Sequence, residues 1–345
     1  MNEQEKEKQE KRLIVLKNRK RKQKRILLLL LLLMVTGVML TTSSYAWFTS
    51  NTTVSVNDIQ VNVAAQNGIQ ISADGTNWKA IVQTTDLINA TATYPGAVNQ
   101  IPATTNSLAP VSTGLNVDTS GKLEMYQGTI VNNAGGDYIL TATKNTEQHG
   151  ETGSFIAFDL FFKVDEDTNI KLTTGSGVKA SGADKGIKNA SRIAFVNLGN
   201  TAAGSDTNTI QNLNAGTSAA KYLWEPNYDV HTAAGVMNAK DNYGITTTET
   251  GGSLLAYSGV IAPVSSGDNI KIGDAKEATD ATKFKAVTPT YTTTEAFPDD
   301  ISIFPLTAGI TKIRIYMWIE GQDVDCENTA SGTDIIYSLQ IAVQN

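Results

Sequence analysis

The pattern of apolar and polar residues changes once along the chain, and that change divides it. Residues 26–40 form an apolar run, ILLLLLLLMVTGVML, relieved only by Thr36 and Gly37. Beyond Phe48 apolar residues alternate with polar ones, the period of a half-buried strand. In TVSVNDIQVNV, Val54 and Val56 share one register and Ile59, Val61 and Val63 the other. The slip at Asn57 and Asp58 therefore predicts a bulge inside one long strand. GIQISADGTNWKAI predicts a hairpin that turns at Ala73, Asp74 and Gly75, with Trp78 packed on the strands.

Residues 83–121 are rich in Thr, Asn, Ala, Pro and Gly and read as long loops with short extended pieces. Strands resume over 123–131 and 137–143. GSFIAFDLFFKV, at 153–164, is apolar throughout and predicts a central strand covered on both faces. Further strands are expected over 187–198, around Leu223 and Trp224, over 253–263 and over 301–304, with a loop or weak helix at 199–220. In KIRIYMWIE, Ile313, Ile315, Met317 and Ile319 face one way and Lys312, Arg314, Tyr316 and Trp318 the other. With DIIYSLQIAV, at 334–343, this segment is expected to close a hairpin. The fold expected is all-β: an antiparallel β-sandwich of jelly-roll type with long loop insertions, preceded by a hydrophobic signal or anchor helix. A two-domain split near 200–220 is the alternative.

Charge sharpens the division. Of 28 Lys and Arg and 34 Asp and Glu, eleven basic residues and only four acids fall in residues 1–25. The chain thus reads as a basic n-region (1–25), a hydrophobic signal helix (26–46) and an extracellular β-sandwich domain (47–345), oriented by the positive-inside rule. Small residues before Trp47 place a signal-peptidase cut between Ala46 and Trp47. The alternative is an uncleaved anchor that stays in the membrane through residues 26–46, with Tyr45, Trp47 and Phe48 as an interfacial belt. A pilin-type leader is excluded, because Leu30 stands where a Glu would be required. The acidic remainder argues against nucleic acid as a partner. A mature body of about 300 residues buries roughly 75% of its unfolded surface, so it needs no disulfide, and the single Cys326 offers none.

The chemistry available is sparse. His149 and His231 are the only histidines, neither has a second at metal spacing, and no H-E-x-x-H or G-x-S-x-G is present. No catalytic residue and no cofactor is assigned. Asp165, Asp167 and Asn169 have the alternate spacing of a calcium loop, but Ile170 replaces the turn glycine and Ser176 the closing glutamate, so the segment reads as a solvated turn. Glu320, Asp323, Asp325 and Glu327 cluster in a second loop, also read as solvated, with Asp323 and Asp325 as its cation candidates. Cys326 between them reads as a small side chain in a turn.

Tyr45, Ala46, Trp47, Phe48 and Asn51, followed by the 53–63 strand, resemble the leader junction of the TasA/camelysin family, secreted proteins of Gram-positive bacteria. The likeness covers residues 41–63. It implies cleavage by a dedicated, SipW-type signal peptidase, a jelly-roll fold, and assembly into biofilm matrix fibres in which each mature N-terminal segment completes a neighbour's sheet. Camelysin-like members have also been classed as metallopeptidases. The segment WIEGQDVDC, at 318–326, resembles one shared by a longer group of Firmicute surface proteins, from which no activity follows. The expected function is that of an exported, non-enzymatic surface or matrix protein, secreted or tethered at the cell surface. It would self-associate through the strand carrying Val54, Val56, Ile59, Val61 and Val63. A glycan- or host-protein-binding module and a metallopeptidase are the alternatives.

Overall fold

Every residue of 309–319 is buried, Lys312 and Arg314 included, so the segment needs a strand on each flank and a layer on each face. The computed structural model supplies all four. It describes residues 24–26, 54–64, 69–95, 106–146, 154–228, 230–237, 258–271, 280–294, 301–326 and 334–343. The chain divides into two units, Met1–Ser44 and Tyr45–Asn345. In the first, Lys24, Arg25 and Ile26 are helical and exposed. Most of the expected signal helix, with Ala46 and Trp47, lies outside the described residues. Among the described residues no helix is long and apolar enough to cross a membrane.

The second unit is mostly β. One sheet runs in the order β14 (Tyr291–Thr292), β11 (Ala220–Glu225), β10 (Ser191–Thr201), β16 (Gly309–Ile319), β7 (Ile156–Val164), β2 (Gln70–Ser72). Its central strands pair antiparallel, and every residue of β16 is buried. A second sheet runs β15 (Ile301–Leu306), β8 (Thr168–Leu172), β17 (Asp334–Val343), β1 (Val54–Ala64), β3 (Ile81–Gln83). Here β4 (Asn106–Leu108) also pairs with β1, and β9 (Gly177–Ala180) with β17. The two sheets share one apolar core. Phe158, Phe162, Phe195, Ile313, Ile315 and Met317 of the first pack with Ile170, Phe304, Ile335, Tyr337 and Leu339 of the second. Phe304 lies 6.1 Å from Phe162 and 5.5 Å from Phe195, ring centre to ring centre. Each such side chain contributes roughly 1.5–3 kcal/mol on burial.

The outer face of the first sheet is buried as well, under a segment that looks polar in sequence. Val111, Val117, Leu123 and Met125 pack on Phe155, Val196, Leu223, Tyr316 and Trp318. The Leu123 N–H donates to the Tyr316 hydroxyl at 3.1 Å, and the Val111 N–H to the Ile319 carbonyl at 3.0 Å. The Thr/Asn/Pro-rich stretch read as loops is thus, over 109–125, a covering layer. A satellite core joins β5 (Met125–Asn132) and β6 (Tyr138–Asn145) to β12 (Ser258–Val260) and β13 (Phe284–Ala286), closed by Tyr126, Leu140, Val260 and Phe284.

Several expectations need correction. The segments 312–320 and 334–343 do not form a hairpin: β16 pairs with β10 and β7, β17 with β1, β8 and β9, and the intervening chain crosses between sheets. Both faces of β16 are buried, so it takes the interior of one sheet and leaves β17 to the other. Lys312 and Arg314 do lie on the face opposite Ile313 and Ile315, and there they are buried and neutralised by Asp159 on β7. The start of the expected 187–198 strand is a 3-10 turn, Ile187–Ala190. Nor is the body purely antiparallel, since β1 runs parallel to β17.

Candidate functional site

The predicted assembly residues all fall on β1, whose backbone is held on both sides. Along one side β1 pairs in parallel with β17, from Ser55 opposite Asp334 to Val63 opposite Ile341. The register shifts between Val56 and Asp58, the bulge that the slip at Asn57 and Asp58 predicts. Val56, Ile59, Val61 and Val63 stand opposite the buried Ile335, Tyr337, Leu339 and Ile341. On the other side Val54 and Val56 meet β4 at Leu108 and Asn106, and Val63 meets β3 at Val82. The first strand of the body therefore fills a slot one strand wide. Removing it would strand ladder groups on both neighbours.

β17 needs the support. Its far side is lined by β8 and β9 in succession. Where they break, the Ser176 hydroxyl donates to the Gln340 carbonyl at 2.9 Å and accepts from its N–H at 3.0 Å. Ser176, the last position of the calcium-loop pattern, is thus a substitute rung of the ladder. Asp165 and Asp167 are exposed in the turn before β8 and Asn169 is exposed within it, opposite Pro305 of β15; one oxygen of Asp167 accepts the Ala308 N–H at 2.9 Å.

The second acidic loop departs most from expectation. Glu320, Asp323, Asp325 and Cys326 are buried, and Cys326 belongs to the main core, so the solvated reading is corrected; Glu327 lies outside the described residues. Burial is possible because a basic group is supplied from β10. The Arg192 guanidinium holds Asp323 at 2.5 Å and Glu225 at 2.6 Å, and donates to the carbonyls of Asn189 and Ser191. Asp325 accepts from His231 Nδ1 at 2.8 Å and from the N–H and hydroxyl of Thr232 at 2.9 and 2.7 Å. Its own N–H donates to Asp323 at 2.8 Å. Gly235 closes the cluster, since a Cβ there would stand 2.7 Å from the Asp325 carboxylate. His231, which in sequence has no partner, is 94 residues from Asp325.

Electrostatics follow from the same contacts. Burial pushes the Glu320 carboxyl up from 4.5 to about 7, against hydrogen bonds from Ser112, the Trp318 indole and the Gln322 N–H and against the Arg192 charge. For His231 burial and Arg192 disfavour the imidazolium, but the Asp325 hydrogen bond and the charges of Asp323 and Asp325 outweigh them and its pKa is raised. The ligand atoms of His231, Asp323 and Asp325 lie within 4.8 Å of one another.

Two further clusters are structural knots. Asp159 is fully buried, yet Arg314 at 2.9 Å, Lys312 at 3.6 Å and the Tyr94 hydroxyl at 2.6 Å hold its pKa below the usual carboxylate value against the opposing effect of burial. Asp74, at the predicted hairpin turn, accepts from Ser72, Thr76, Asn77 and Thr93; burial opposes its ionisation, but these bonds lower it to about 2. It borders a cavity of about 280 Å³ beside α1 (Thr84–Asn89). Trp78 packs against Tyr94, Phe161, Ile210 and Ile310, with Lys163 5.8 Å from its ring centre, in line with its structural reading. Scans against protein-family models, curated proteins and solved structures found no match to this chain.

Proposed function

We propose that this chain is an exported surface or matrix protein of a Gram-positive bacterium, a jelly-roll sandwich whose copies join by exchanging β1. The observation that carries the reading is the place of β1: the first strand after the apolar leader sits inside a sheet, between β17 and the pair β3 and β4. A strand so placed, at the end of a chain, fits the same slot in a neighbour without any new contact, as in donor-strand complementation. The other sheet edges disfavour simple edge-to-edge growth. β15 carries the exposed Pro305, and β2 and β14 span three and two residues. The resemblance of residues 41–63 to the TasA/camelysin junction supports the same reading. Mature protein beginning at Trp47 is expected to form concentration-dependent oligomers in light scattering. Protein lacking residues 47–64 is expected to stay monomeric and to bind a synthetic peptide of those residues. Oligomers that persist unchanged after the deletion would overturn the proposal.

A further inference from the structure

We propose that the cavity between the turn after β2 and α1 binds one neutral sugar unit, a polyol of hexose size. Two segments form its walls: 73–79, which holds the predicted hairpin turn, and 82–93, which runs through α1 and the 3-10 turn Ala90–Ala92. The two are fastened to each other twice. Thr93 donates to the Asp74 carboxylate, and the Gln211 amide bridges the carbonyls of Asp74 and Thr93 at 2.7 and 3.0 Å. Separately, Lys79 and Asp86 form an ion pair. Walls tied in this way are fixed before any ligand arrives, so the space of about 280 Å³ that they enclose is a preformed site.

The lining suits hydroxyl groups and a C–H face. Ala73, Val82 and Ala90 are its buried apolar part, against which one side of a sugar ring can lie. Asp74 is not a ligand-binding group, because its carboxylate already accepts from Ser72, Thr76, the N–H and amide of Asn77, and Thr93. It acts as a positioning residue: by taking the Asn77 amide hydrogen it leaves the Asn77 carbonyl oxygen to accept from a ligand. Asn89 precedes the 3-10 turn without capping it by its side chain, so that amide can both donate and accept. Lys79 has donors beyond the one given to Asp86, and Asp86 has acceptor capacity beyond the Lys79 and Gln83 bonds. A hydroxyl donates and accepts at once, and adjacent hydroxyls on a ring match this mixture. With Lys79 spent on Asp86, the Asp74 charge leaves the pocket negative and disfavours an anionic sugar. Trp78 packs against Tyr94 and Phe161 and does not line the cavity, so the sugar has no aromatic platform and a millimolar Kd is expected. Val82 also stands opposite Val63 of β1, but the site does not depend on strand exchange.

The test is ligand-observed saturation-transfer NMR on folded mature protein with glucose, galactose, mannose and N-acetylglucosamine, and with glucuronate as the anionic control. At least one neutral sugar should bind with a millimolar Kd, and glucuronate at least tenfold more weakly. Asn89→Ala and Lys79→Met change exposed positions. Each should weaken binding at least fivefold while Tm stays nearly constant. Absence of transfer to all four neutral sugars, equal binding of glucuronate, or binding unchanged in both variants would each overturn the assignment.

Discussion

Glu320 illustrates how a single residue sets a condition on the whole fold. It is fully buried, faces Ser112, Trp318, Gln322 and the Arg192 charge, and titrates near 7 instead of 4.5. Between those values the folded chain keeps a proton that the unfolded chain releases. Stability from this group is therefore complete below about pH 4.5 and is lost as pH rises through about 7, by about 3 kcal/mol in all. Glu320→Gln removes the titration. Denaturant midpoints of wild type and variant compared at pH 5 and pH 8 should show the wild type losing more stability across the interval, and parallel behaviour would refute the burial argument. Sequence alone could not reveal this. The acid that opens EGQDVDC looks like any solvated loop acid until the Arg192 charge, far away in the chain, is known to act on it.

At the scale of elements, β7 and β16 hold a charge pair within an apolar sheet. Arg314 and Asp159 are directly opposed in the strand register, and both are buried. Removing Asp159 leaves Arg314 and Lys312 without their shared carboxylate, a loss of about 3–5 kcal/mol, whereas replacing Asp159 and Arg314 together by apolar residues leaves Lys312 its bond to the Gln211 carbonyl. Asp159→Leu and Arg314→Met should each lower the denaturant midpoint sharply. The double variant should recover much of the loss, and simple additivity would show that the pair is not coupled. The alternation in KIRIYMWIE made the inner face of β16 legible, because Ile313, Ile315, Met317 and Ile319 obey the period that core contact imposes. What covers its outer face was not legible. A covering layer built from Val111, Val117 and Leu123, spaced irregularly among Thr, Ser and Gly, carries no period that would announce it. The hairpin with β17 failed for a related reason: closeness in sequence favours pairing only when both strands leave an edge free, and β16 leaves none.

For the molecule as a whole the decisive contact is between its ends. β1 was legible as a strand, down to its bulge, because alternation and its interruption are local signals. Its partner was not, since a parallel pairing of first and last strands spans nearly the whole body and leaves no local trace. If copies exchange β1 as proposed, a neighbour's strand must compete with the chain's own, whose long closing loop lowers its effective concentration only modestly. Gln60 stands opposite Ser338 in the register, and adjacent strands are about 4.8 Å apart, within reach of a disulfide. Chains carrying Gln60→Cys alone and Ser338→Cys alone, assembled together and then oxidised, should yield a covalent dimer on a non-reducing gel. The mixture is required for it, because neither chain holds both partners, and Cys326 is buried away from the reaction. Chains carrying both substitutions should give a ladder of covalent oligomers when assembled. If the mixture gives no dimer and the doubly substituted chain only an internally bridged monomer, β1 closes its own sheet and the copies do not exchange it.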